Sequence, residues 1–245
     1  MISNLRLLIA LIALGALPLW AQDNDDGGGG GDAVPGKYFR TIGAGVTAND
    51  LYFKVKGKDK NIGITDSIRS PLYDPKGVGK IVFYKIVTGP DGKPMHIEMA
   101  QAQIPKANSL TLLIFSANPA TPGTYNVDVL PDDLVTFPLG SYRIFNRSTL
   151  PVKVVLGNQG ASVAPNKIRV LMYQPPAGGG SVPVRIYTPT NNTPRLIYAN
   201  TWGDDNNHRT DILVNPSPGT SGFIAIGRML DNPTALLRKE YLPKD

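Results

Sequence analysis

The chain of 245 residues contains no cysteine. Structural disulfides, thiolate metal sites, a blue-copper centre and membrane attachment through a lipidated cysteine are therefore excluded. Histidine occurs twice, as His96 in an alternating segment and His208 in a polar loop. Neither has a third ligand beside it for a metal, and His96 and Glu98 share a face that reads as solvent-facing. The common nucleophile and phosphate motifs are missing too. There is no GxSxG, Gly219-Thr220-Ser221-Gly222 lacks that spacing, and Gly77-Val78-Gly79-Lys80 lacks the earlier glycine and the following hydroxyl of a phosphate loop. No apolar run reaches the roughly 18 residues of a spanning helix, so no transmembrane segment is expected in the mature chain. Helix-favouring runs are scarce, and 26 Gly and 22 Pro point to an all-β chain rich in turns.

What is present begins with an address. Arg6, the apolar stretch from Leu7 to Leu17 and Pro18-Leu19-Trp20-Ala21 have the three parts of a secretory signal, so residues 1–21 are expected to be removed on export. Residues 22–36 follow, with five consecutive glycines and the acids Asp23, Asp25, Asp26 and Asp32. Such a stretch buries too little apolar surface to offset its ordering entropy and is expected to be a flexible tether. The remainder carries 24 Lys and Arg against 15 Asp and Glu, a net charge of +9. A basic body outside the cytoplasm suits an anionic polysaccharide or another envelope protein as partner rather than nucleic acid, although the same charge also serves solubility alone.

From Lys37 onward the chain is a succession of short alternating or β-branched runs broken by Gly, Pro, Asn and Asp. Strands are predicted at 38–42, 51–56, 61–65, 80–88, 95–103, 110–115 and 125–130, and again at 141–146, 152–156, 167–173, 182–188, 195–202, 211–214 and 223–229. The two sets echo each other. Leu51 to Gly57 answers Pro151 to Gly157, and Tyr73-Asp74-Pro75 answers Tyr173-Gln174-Pro175. Thr111 to Ser116 answers Thr210 to Asn215, and Leu130 answers Leu230, with offsets of 99 or 100 throughout. A period near 100 residues is too long for a solenoid unit and fits a small domain. About seven strands per hundred residues is the density of an immunoglobulin-like sandwich. The fold expected is therefore two tandem immunoglobulin-like β-sandwich domains, at 37–131 and 139–231, joined by a linker at 132–138. A short helix is expected at 232–245, where Asn232-Pro233 supplies an N-cap and a first-turn proline.

Two places are candidates for ligand binding. Lys54, Lys56, Lys58 and Lys60 fall on every second residue, which on a continuous strand puts them on one face as a patch for an anionic glycan. Lysines in a row also protect an exposed edge strand from pairing with another molecule, and both readings stay open. The loop Trp202, Gly203, Asp204, Asp205, Asn206, Asn207, His208, Arg209 has no counterpart at 104–110 in the first half. It offers oxygen ligands for a hard cation or a tryptophan face for a sugar ring, but Arg209 stands where a calcium loop needs glycine and no acid closes it. An Asx-rich hairpin connection accounts for the same residues.

The signal, tether and repeated β units resemble exported bacterial proteins with immunoglobulin-like domains. That resemblance is architectural and brings no functional residues with it. The function expected is that of a periplasmic or extracellular, non-catalytic protein with a binding or scaffolding role, without cofactor or metal. A carbohydrate-binding module centred on Trp202 is the alternative, and a hydrolase using dispersed carboxylates a further one, since a carboxylate pair needs no local motif.

Overall fold

The computed structural model describes residues 37–77, 79–105, 109–173, 180–189, 193–203, 207–216 and 224–233. The signal, the tether, and all but the first two residues of the expected helix lie outside the described residues. Within them the architecture is all-β, with sheets packed in sandwich fashion.

The first half contributes β1 (Tyr38–Gly43), β2 (Ala48–Val55), β3 (Lys58–Ile64), β4 (Lys80–Thr88), β5 (Pro94–Gln103), β6 (Leu110–Ala117) and β7 (Tyr125–Pro131). The second contributes β8 (Ser141–Asn146), β9 (Val152–Leu156), β10 (Gln159–Val163), β11 (Lys167–Met172), β12 (Ser181–Thr188), β13 (Arg195–Gly203), β14 (Arg209–Pro216) and β15 (Ile224–Asp231). Four sheets result, in the orders β3-β2-β4-β5, β1-β6-β7, β11-β8-β14-β15 and β10-β9-β12-β13. The pairs β1–β6 and β8–β14 run parallel, and all other pairings between strands are antiparallel.

Burial shows how the sheets are layered. Phe39, Leu113 and Phe115 of the β1-β6-β7 sheet pack against Leu51, Phe53, Ile62 and Phe83 of its partner. Tyr142, Ile144, Ile212 and Val214 pack in the same way against Val154, Leu156, Val184 and Ile186. Because side chains alternate across a strand, the residues between these point the other way. There Ile42, Leu112 and Ile114 meet Phe145 and Leu213 in a third apolar cluster that joins the two halves. The β1-β6-β7 and β11-β8-β14-β15 sheets are therefore inner layers. Strands β1, β6, β8 and β14 are buried along nearly their whole length, as expected where both faces of a sheet are covered.

The free edge of each inner sheet is closed differently. Beside β8 lies the regular strand β11, whereas beside β1 runs an irregular segment. That segment is held by a reciprocal pair of backbone bonds between Phe39 and Tyr73 (2.8 and 2.9 Å) and by Ser70 N–H donating to the Thr41 carbonyl at 2.9 Å. Ser70 Oγ also accepts from Thr41 N–H at 2.8 Å. These bonds fix the neighbouring Arg69 in place.

The structure revises two sequence expectations. Strand β10 is missed by the sequence reading, because Gln159-Gly160-Ala161-Ser162-Val163 has small side chains and follows the Gly157-Asn158 turn. In β2 and β9 the spacing between similarly buried positions also departs from the 99 or 100 of the sequence echo. The buried positions Leu51 and Phe53 of β2 match Val152 and Val154 of β9 at an offset of 101, whereas 100 would set core residues opposite exposed ones. Across β6 and β14 the inward residues Leu113 and Phe115 match Ile212 and Val214 at 99.

The apolar seam between the halves can be tested directly. Leu112→Ala removes a fully buried side chain from it and is expected to cost about 2–5 kcal/mol in urea unfolding. An exposed control, Val135→Ala at 90% accessibility, should stay within about 0.5 kcal/mol.

Candidate functional site

Seven ionised side chains are buried at one end of the seam between the inner sheets. Arg40 of β1 and Arg143 of β8 sit on the seam-facing sides of their strands, Arg209 and Asp211 do so on β14, and Asp231 closes β15. Asp132 follows β7, and Arg69 reaches in from the segment beside β1. Each side chain is 7% exposed or less.

Asp132 is the hub. Its Oδ2 accepts from Arg40 Nη2 at 2.6 Å and its Oδ1 from Arg143 Nη2 at 2.8 Å. Arg209 Nη2 lies 3.0 Å from Oδ2 and Arg69 Nη2 3.8 Å from Oδ1, so all four guanidiniums surround this carboxylate. Asp231 takes the fork of Arg40 at 2.7 and 2.8 Å and the Nε of Arg209 at 2.8 Å. Asp211 accepts from Arg143 Nε at 2.9 Å and from Arg69 Nη2. Arg209 Nη1 donates further to the carbonyls of Asp132 (2.7 Å) and Phe137 (2.9 Å). Under them lies the ring of Phe137, 4.1 Å from the guanidinium carbon of Arg143 and 4.6 Å from that of Arg209. Weakly hydrated guanidiniums suit such a stack, and each contact contributes about 0.5–2 kcal/mol.

The cluster crosses the seam repeatedly. Arg40–Asp231, Arg69–Asp211 and Arg143–Asp132 each join a residue of one half to a residue of the other. Part of it has matching positions in the two halves. Arg40 stands opposite Leu112 in the register of β1 with β6, and Arg143 opposite Asp211 in that of β8 with β14. Asp132 follows the end of β7, and Asp231 ends β15. Arg69, Arg209 and Asp211 have no such counterparts and make the cluster asymmetric.

Burial raises the Asp132 carboxyl, but the guanidiniums of Arg69, Arg143, Arg40 and Arg209 more than offset this and hold it at about 2. Asp231 is likewise held well below the carboxylate range against the effect of burial, chiefly by its bonds to Arg40 and the charge of Arg69. Burial works against the charge of Arg40, yet its two carboxylate partners raise it above the usual value. Arg209 moves the other way: burial lowers it, and repulsion from Arg69 adds to that despite Asp132 and Asp231.

Of the residues singled out from the sequence, the cluster contains only Arg209. Read as part of a polar loop, it is instead the first residue of β14 and fully buried. Asp204 and Asp205 lie outside the described residues. The backbone carbonyl of His208 accepts from Gly140 N–H at 2.8 Å. Trp202 is only 4% exposed; its ring stacks on Tyr142 and carries the guanidinium of Arg228 at 4.7 Å, and its Nε1 donates to Tyr198 Oη at 3.1 Å. It is a core residue and presents no open face to a sugar.

The lysine row is divided by a turn. β2 ends at Val55, Lys56 and Gly57 form a two-residue hairpin with φ of 49° and 80°, and β3 begins at Lys58. Lys54 pairs with Asp59 on the outer side of the sheet, while Lys58 and Lys60 pair with Val55 and Phe53 on the other. Because β3 is an edge of its sheet, Lys58 and Lys60 are placed where edge protection operates.

The six other members of the cluster are absent from the sequence-based candidates. The signal for three of them is a charge inside an otherwise apolar strand, in Phe39-Arg40-Thr41-Ile42, Tyr142-Arg143-Ile144-Phe145 and Asp211-Ile212-Leu213-Val214. An isolated charge in a strand covered on both faces requires a buried partner.

Among the described residues, no group of three or more His, Cys, Asp or Glu is placed to hold a metal ion, and no helix is long and apolar enough to cross a membrane. No protein-family model matches the chain, and no curated protein matches it.

Two predictions follow from this geometry. Asp132→Asn leaves buried guanidiniums uncompensated and is expected to lower unfolding stability by about 3–5 kcal/mol, measured by urea titration. In acid, the unfolded chain protonates Asp132 near 3.8 and the folded chain only at about 2. The stability from this carboxylate is present above pH 4 and lost as pH falls from 4 to 2, and Asp231 extends the loss lower. The thermal midpoint should therefore fall steeply across that window, and less steeply in Asp132→Asn.

Proposed function

We propose that this is an exported, non-catalytic protein of the bacterial cell envelope or exterior, in which two immunoglobulin-like sandwiches form one rigid binding or scaffolding body. The observation that carries this reading is the buried cluster itself. Each of its three carboxylates is engaged by a guanidinium from the other half, an arrangement suited to fixing the orientation of two halves. Buried ion pairs are poor sources of net stability but good selectors of one packing over others, which is what a scaffold requires.

The matching strand orders support the reading of two repeated units: β1-β6-β7 with β8-β14-β15, and β3-β2-β4-β5 with β10-β9-β12-β13. The same cluster argues against a hydrolase built on these acids. A general acid needs a carboxyl raised toward neutral pH, whereas Asp132 and Asp231 are pushed the other way.

Expression of the full chain with a C-terminal tag, followed by fractionation and N-terminal sequencing, tests the export half of the proposal. A mature chain beginning at Gln22 outside the cytoplasm is expected, and an uncleaved cytoplasmic product would refute it. For the binding half, titration of anionic glycans and envelope extracts should show affinity that weakens about tenfold or more on charge reversal of Lys58 and Lys60, which share one side of the sheet. Affinity indifferent to those charges would remove the lysines from the binding surface.

A further inference from the structure

The ion cluster is unbalanced, and two of its arginines line a cleft. Among the described residues, four guanidiniums, of Arg40, Arg69, Arg143 and Arg209, face the three carboxylates of Asp132, Asp211 and Asp231, leaving one positive charge in excess. Among the described residues, four nitrogens on three of these arginines have no hydrogen-bond partner, namely Arg40 Nε, Arg69 Nε, Arg69 Nη1 and Arg209 Nη2, and three of the four belong to Arg40 and Arg69. Arg69 Nη1 lies 3.0 Å from Asp231 Oδ2, as an ion pair without hydrogen-bond alignment. The side chains of Arg40 and Arg69 are only 1% and 7% exposed. Buried charged donors left unpaired are costly, and each such group calls for an account.

Arg40 and Arg69 both line a cleft of about 620 Å³ between the segment from Ser67 to Leu72 and the end of β15 at Met229, Leu230 and Asp231. That volume is in the range of small-molecule sites, roughly 300–1,000 Å³. The carboxylate of Asp231 also borders it, but both its oxygens are engaged by Arg40 and Arg209. The remaining walls are largely apolar. Leu72 is buried at the base, while Ile68 and Leu230 stand 60% and 54% exposed at the rim. The ligand class that meets these requirements has one negative charge, planar acceptor oxygens and an apolar body. A carboxylate accepts from guanidinium N–H groups in this manner, whereas inorganic phosphate brings more charge than the excess and nothing for the apolar walls.

We propose that the cleft formed by Arg40, Arg69, Leu72 and Leu230 binds a monocarboxylate carried on an apolar body. The assignment rests on the reading of this protein as a binding body and names the chemistry of one ligand site on it.

The test uses the isolated full chain and octanoate, with 1-octanol, acetate and inorganic phosphate as comparisons. Binding is followed by the arginine Nε–Hε NMR signals and the thermal midpoint. Octanoate should move the Arg40 and Arg69 signals saturably, and it should bind about tenfold or more tightly than octanol, the difference expected of a charge-assisted hydrogen bond. Acetate and phosphate should be weaker than octanoate.

Arg69→Gln should weaken octanoate about tenfold or more. Because that change also disturbs the cluster, Leu230→Asp at the exposed rim provides a second variant. It should weaken octanoate about tenfold or more, through repulsion of the carboxylate added to lost apolar contact, and weaken octanol less. Absence of a saturable signal, equal affinity for octanoate and octanol, tighter binding of phosphate, or unaltered octanoate affinity in Leu230→Asp would each overturn the proposal. Failure of octanoate to bind leaves the export result intact, and failure of export leaves this measurement intact, so the two readings fall separately.

Discussion

Seven ionised side chains held out of water at one place constrain everything else about this structure. Each pays a desolvation cost of several kcal/mol unless its partners are correctly placed, and those partners come from six separate stretches of chain. Arg40 must be on β1, Arg143 on β8, Arg209 and Asp211 on β14, Asp231 at the end of β15, Asp132 after β7, and Arg69 on the segment beside β1. A slip of one residue in any of these strands would turn a charge away from the cluster and an apolar side chain into it. The registers of the inner sheets and the relative placement of the halves are therefore coupled through electrostatics as well as packing.

The apolar clusters supply the adhesion that the ion cluster does not. The two intra-half cores and the seam of Ile42, Leu112, Ile114, Phe145 and Leu213 exclude water along the inner layers. In that setting the charge pairs act as selectors. The alternation of a strand lets both roles share one element: in β1, Phe39 faces the first core, while Arg40 and Ile42 face the seam. The 132–138 connection takes part in the same way, because Asp132 is the hub of the cluster and the Phe137 ring supports two of its cations. A segment that reads as a simple join is, at both ends, part of the interior.

Much of the fold was legible in the strand pattern. Fourteen of the fifteen strands were anticipated within a few residues, and the exception, β10, lacks the large apolar side chains that make a strand visible. The four inner strands looked like ordinary half-buried ones, although the continuous burial of β6 is written in Leu110-Thr111-Leu112-Leu113-Ile114-Phe115. The candidate sites were far less legible. The lysines stand out by their alternation and Trp202 by the polar stretch that follows it, both of them local features. A single arginine between apolar residues on a strand carries no local sign of where its partner lies, since Arg40 and Asp231 are 191 positions apart.

By itself the sequence determined the all-β character, the approximate places of most strands and the exclusion of thiol chemistry, because these depend on side-chain periodicity, turn residues and composition, all of them local. Only the tertiary structure decided that the outer faces of the inner sheets meet, that Trp202 is interior, and that seven scattered charges form one cluster with a positive charge to spare. Those outcomes depend on which surfaces are removed from water together. Burial is a property of the assembled layers, and no stretch of chain records it alone.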